Sequence, residues 1–232
     1  AETIMDFFTY AGAPGAYNLA LGAGAGVYWK SDDFSVSTSY LSINGNDSNP
    51  NTGGIGTNGA DFSATTQIAY APENWGIAAA YTKASGNSDK LYIGNANPAG
   101  VVISGLGSQT NSWGLSAWWM PEESGFIPSI SAGVGATYAE AGGDDYDSAS
   151  WYVGLEWSDV FIEGNSLGAA IGEAPSWDDA EGNLMWEAFY SFSVSDNITI
   201  TPAVFWVQDA DGNASVDGSD TFGALVKTTF KF

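Results

Sequence analysis

The chain has 232 residues, 27 acidic against 5 basic side chains, a formal net charge of −22, and neither His, Cys nor Arg, which excludes Ser–His–Asp and Cys–His catalysis, ordinary zinc sites and nucleic-acid partners. It is nonetheless 44% hydrophobic and 14% aromatic, with 10 Trp, too apolar for an acidic disordered chain. No apolar run approaches the ~20 residues of a spanning helix, and the start, AETIMDFF, lacks the basic region of a secretory signal.

Residues 1–16, AETIMDFFTYAGAPGA, show no clean period and read as an external loop or a poorly paired strand. From there on, apolar and small polar residues alternate with a period of two, the mark of strands with two unlike faces. The segments are 17–30, with Trp29; 33–43, with Phe34 and Tyr40; 61–71, with Phe62 and Tyr70; and 74–84, with Trp75 and Tyr81. Next come 110–120, with Trp113 and Trp119; 128–139, with Tyr138; 148–158, with Trp151 and Trp157; and the short 167–172. Three more close the chain: 183–194, with Trp186 and Phe192; 197–208, with Trp206; and 221–232, with Phe222 and Phe230.

Most of these eleven segments run ten to twelve residues, beyond the usual five or six of a soluble sheet and near the ~9–11 of a tilted transmembrane strand. Connections alternate between short (31–32, 72–73, 195–196) and long (44–60, 85–109, 209–220), as in outer-membrane barrels with tight periplasmic turns and longer outer loops. The turns 121–127 and 159–166 depart from that rule, being no shorter than the outer loop 140–147.

Aromatic residues recur on the apolar face as pairs six or eight residues apart, roughly 20–27 Å of strand. Tilted, such pairs would bracket the hydrocarbon layer as two girdles. Away from strand ends, the charges Asp61, Glu156, Glu187 and Lys227 all have the parity of the small polar face, which a water-filled lumen tolerates and lipid does not. Lys83 has outward parity at a strand end, where its stem can snorkel. The expected fold is therefore all-β, a transmembrane up-and-down antiparallel barrel. Alternation alone equally fits a secreted soluble barrel or sandwich binding carbohydrate or calcium. Strand length, loop asymmetry and paired aromatics together favour the membrane.

Eleven up-and-down strands leave the first and last running the same way, whereas single-chain bacterial barrels close with even counts. The expectation is one barrel region with N-terminal strands missing. The stretches WWMPEESGFIPSISAGVG, SASWYVGLEWSDVFIEGNSLGAAIGEAP, NITITPAVFW and GALVKTTFKF resemble the C-terminal barrel of cyanobacterial outer-membrane porins of the carbohydrate-selective (OprB-like) superfamily. The resemblance implies a roughly sixteen-stranded porin passing ions and small hydrophilic solutes passively, in contact with outer-membrane lipid. It also implies a homotrimer, as porins commonly form trimers, and peptidoglycan contact only through a domain absent from these residues.

Candidate pore-lining residues are Asp61, Gln67, Tyr152, Glu156, Glu187, Lys227 and Lys231, and their acidic members predict a weak cation preference. Read blandly, each is a replaceable solvated position. Loop 85–109 carries two apolar patches, LYIG and VVISGLG, and is expected to fold inward as a constriction or to pack on the rim or a neighbouring subunit. In 209–220, Asp209, Asp211, Asn213, Ser215, Asp217 and Asp220 resemble a calcium loop, but Ala214 stands where an EF-hand has Gly and Asp220 where it has Glu. A solvated turn is the favoured reading, and no cofactor is expected. The pairs Asp144/Asp145 and Asp178/Asp179 lack the pocket a glycosidase needs, so no enzymatic activity is expected.

Overall fold

The computed structural model describes residues 3–17, 20–86, 108–123, 125–141, 143–177, 183–208 and 220–231. A one-turn helix, α1 (Asp6–Thr9), precedes eleven strands: β1 (Ala23–Ser31), β2 (Phe34–Ser42), β3 (Phe62–Tyr70), β4 (Trp75–Gly86), β5 (Ser108–Trp119), β6 (Ser129–Ala141), β7 (Asp144–Ser158), β8 (Ser166–Trp177), β9 (Asn183–Ser195), β10 (Ile198–Val207) and β11 (Thr221–Phe230). They form one sheet in sequence order, each pairing antiparallel with the next. This meander needs only hairpin connections. Two turns are as tight as pairing allows, with Ser31 opposite Phe34 and Ser195 opposite Ile198. In the first, Asp32 takes a φ of 48°, a left-handed conformation that Asp tolerates.

The register sorts side chains as the alternation requires. Phe34 faces Tyr70, Tyr70 faces Ile77, Trp75 faces Trp119 and Trp186 faces Trp206, so the aromatic and aliphatic residues of successive strands share one face. Among the described residues that face packs against no second layer: Trp29 and Trp113 are each 54% exposed and Val27 68%. A soluble sandwich would bury it. Neighbouring rings touch along it, Trp29–Phe34 at 6.0 Å, Tyr70–Trp75 at 5.5 Å and Tyr81–Trp113 at 4.3 Å between centroids. These contacts run across the strands, as belts do.

The belts also drift through the register. Crossing from Trp113 through Ala136 leads to Ala149 on β7, yet the belt residue there is Trp151. Trp151 leads through Glu173 to Leu184 on β9, where the belt residue is Trp186. A level belt that slips against the hydrogen-bond register means tilted strands, the stagger that barrel closure demands.

Three sequence expectations are corrected. The segment 17–30 contributes a strand only from Ala23, and residues 3–17 form no external loop: they lie against the opposite, small-residue face, called inner below. The segment 167–172 is too short, since β8 continues to Trp177. That continuation places Glu173 opposite Trp151 on the outward face, so charges within strands are not confined to the inner face.

Candidate functional site

The inner face is floored with Ser, Thr, Ala and Gly, and residues 3–17 cross it as a strap from β9 to β4. The strap begins at Glu187 on β9, whose two carboxylate oxygens accept the backbone N–H groups of Ile4 at 2.9 Å and Met5 at 2.6 Å. An ionised carboxylate accepting backbone donors makes the stronger class of hydrogen bond. It also serves two N–H groups at the start of α1 that have no intrahelical acceptor. Next, Phe7 and Phe8 bury themselves with Tyr152, Ala170, Ala174 and Met185, contributed by β7, β8 and β9. The Phe8 and Tyr152 rings lie 6.1 Å apart.

Two consecutive left-handed residues, Ala11 (φ 53°) and Gly12 (φ 66°), then turn the strap along the sheet. The Gly12 carbonyl accepts the Ser150 hydroxyl at 2.6 Å, and the Ala16 carbonyl accepts that of Thr82 at 2.6 Å. The Thr82 oxygen is itself 2.7 Å from that of Thr65. Ala13 and Ala16 pack on Ala80, with Tyr17 beside them. Burial pushes the Tyr17 hydroxyl upward from its ordinary pKa, although its hydrogen bond with Ser116 acts the other way. It stays neutral at physiological pH.

The small inner residues are thus a docking track as well as a polar wall. At Gly133, any Cβ would sit 2.1 Å from the Ala11 carbonyl oxygen, so backbone meets backbone only because a side chain is absent. Between strap and wall, Phe8, Trp118 and Tyr152 line a cleft of about 270 Å³ with the hydroxyl residues Thr3, Thr9, Ser116 and Ser131.

The strap divides the candidate pore-lining residues. Tyr152 and Glu187 have inward parity but lie beneath it, 7% and 1% exposed. Asp61 is not open to a lumen either. It is wholly buried, and its backbone N–H and carbonyl tie the folded loop 43–61 to Asn44 and Ile43. Gln67, Glu156 and Lys227 have inward parity and are half-buried, and Lys231 is exposed beyond the end of β11. The Lys227 charge is close enough to attract Glu187. Loop 85–109 lies outside the described residues except at its ends. So do Asp178/Asp179 and the calcium candidates Asp209, Asp211, Asn213, Ser215 and Asp217; Asp220 sits exposed at the foot of β11.

The sequence reading missed the inward aromatic residues Trp118, Phe189 and Phe205, whose rings cover Gly76, Gly168 and Gly223 on neighbouring strands. The signal was available as an aromatic at polar parity opposite a glycine. At the outward belt, the Trp151 indole N–H donates to the Glu173 carboxylate at 3.0 Å, and the Tyr81 hydroxyl to the Asn111 amide oxygen at 2.7 Å.

A tilted meander with a bare aromatic-belted outer face and a small-residue inner face is the architecture of a porin wall, and comparison with known proteins agrees. Residues 8–232 match the carbohydrate-selective porin, OprB, family. The chain belongs to that family of outer-membrane porins, which are not enzymes. An uncharacterized protein of Nostoc sp. is 32% identical over 95% of this chain and 40% of its own length. A second, from Synechocystis sp., is 30% identical over 91% of this chain and 43% of its own. This OprB-family chain thus spans less than half the length of these relatives. Among solved structures, an anion-selective porin from Comamonas acidovorans superposes with a TM-score of 0.65 at 13% identity, over 95% of this chain and 66% of that one. The outer membrane protein OmpT of Vibrio cholerae, in trimer form, gives 0.64 at 10% identity, over 95% and 69%.

Proposed function

We propose that these eleven strands form part of a closed outer-membrane barrel through which inorganic ions and small hydrophilic solutes diffuse passively, with the strap narrowing the path. Among the described residues, β1 pairs only with β2 and β11 only with β10. Bare strand edges are not viable in lipid, and further strands between them would complete the roughly sixteen of the porin reading. The observation that carries the proposal is the strap itself. It occupies the inner face rather than the outer one, so lumen volume between β4 and β9 is filled by chain.

The proposed selectivity is weak and favours cations. Inward charges on the strands and at their ends include Glu156 and Glu187 against Lys30, Lys227 and Lys231, so any cation bias arises from the acidic excess of the whole chain, which raises the local cation concentration. Which solutes pass, carbohydrates included, follows from the family alone. A homotrimer is proposed on the same footing as the trimeric form of the Vibrio cholerae neighbour. Reversal potentials in planar bilayers under a salt gradient test the reading: a small cation-selective potential is expected, and anion selectivity would overturn it.

A further inference from the structure

The outward face is not uniformly clad. Between Trp113 on β5 and Trp151 on β7 lie Ala136 of β6 and Ala149 of β7, which pair with each other. They floor a depression of about 920 Å³ that runs on past Ala79 of β4 to Thr66 and Ile68 of β3, within the roughly 300–1,000 Å³ of small-molecule pockets. Its walls are the Tyr81 and Trp113 rings on one side and Trp151 on the other, with Leu115 and Val134 toward the bilayer centre. Glu173, bonded to the Trp151 indole, stands at its flank.

We propose that this notch holds one acyl chain of an outer-membrane lipid, whose head group lies against the polar outer edge. The argument is one of medium and shape. At belt height the outward face meets acyl chains, and a depression there is either filled or loses the contacts of its lining. Its polar side chains stand at its two flanks, Thr66 on β3 and Glu173 on β8, and beyond its outer end. Lys83 and Asn111 pair with each other just outside Tyr81 and Trp113, and Tyr138 pairs with Asp147 just outside Ala136 and Ala149. An amphiphile with its chain toward the centre and its head at that edge matches both chemistries. The rings on either side are what distinguish one retained lipid from the fluid shell, because they hold a chain laterally as well as from behind.

The inference rests on the outward face meeting lipid; a failure of that reading would show separately, as a protein that stays soluble without detergent. The test is native mass spectrometry of the detergent-purified protein titrated with a brominated-chain phosphatidylcholine, whose mass identifies it. Wild type should keep one lipid at activation energies that strip the rest. Ala136→Phe and Ala149→Leu, each checked for folding by heat-modifiable gel mobility, should lower that retained fraction at least fivefold. Val27→Phe on β1, remote from the notch, should leave it unchanged. A statistical spread of adducts that is the same in wild type and filled variants would overturn the proposal. So would a dimer mass lost on filling the notch, which would assign the surface to a second copy of the chain.

Discussion

The Glu187 carboxylate and the Met5 backbone N–H meet at 2.6 Å across 182 residues of sequence, with Ile4 sharing the other oxygen. This contact ties the start of the strap to β9. It is charge-assisted and almost wholly buried, so removing it strands two amide donors, each costing about 1–3 kcal/mol when left unsatisfied.

Glu187→Ala should therefore free the strap while leaving the barrel folded. Single-channel conductance should rise, and residues 3–17 should become open to protease. Glu187→Gln keeps one acceptor but turns an NH2 group toward a backbone N–H, so it should fall between the two. Unchanged conductance in Glu187→Ala would mean that the strap does not limit the path.

Gly133→Val should dislodge the strap from the other side. Its Cβ would meet the Ala11 carbonyl oxygen at 2.1 Å, and this overlap of side chain with backbone should destabilise the docked strap by about 1–3 kcal/mol. Val134→Leu, one residue along and pointing outward, should change neither conductance nor protease resistance.

An outward charge near the bilayer centre should be far worse than one at the belt. Val153→Arg, two residues inward from Trp151, should cost roughly 2–4 kcal/mol in vesicle-based unfolding. Glu173→Ala removes a charge already at belt depth and should change stability by under ~1 kcal/mol, the scale near the interface.

Loop 43–61 should loosen only in strong acid. The Asn49 backbone N–H and then the Thr52 hydroxyl hold the Asp47 carboxyl below its ordinary value. A depressed folded pKa supplies stability that is complete above the unfolded value of about 3.9 and is lost as pH falls through the folded one. The loop's hydrogen-exchange protection, corrected for the intrinsic pH dependence of amide exchange, should be flat from neutral pH to about 4 and fall below that, whereas Asp47→Asn should abolish the step.

Strand number and facing were legible because both follow from a period of two: Phe34, Trp75, Trp119 and Trp206 point where their parity puts them. The strap was not, because parity records which face a residue occupies and not what covers it. Gly133, Ser150 and Thr82 read as lumen wall, and only contact with residues 11–16 makes them a track. The same blindness left Tyr152 and Glu187 as solvent-facing candidates. Glu173 is hidden for another reason: the alternation that marks the strand stops at 172, and the pairing of the last residues of β8 with β7 shifts past Trp151. An irregular register leaves no trace in alternation.

The most direct test is cysteine scanning along β2, which the strap does not cover, in a chain that has no native Cys. With the protein in lipid vesicles, a membrane-impermeant charged thiol reagent should label cysteines at Ser35, Ser37 and Ser39 through the aqueous lumen. Cysteines at Val36 and Thr38 should resist it and take up a lipid-soluble maleimide instead. The reverse alternation, with water at Val36 and Thr38 and none at the serines, would contradict the account.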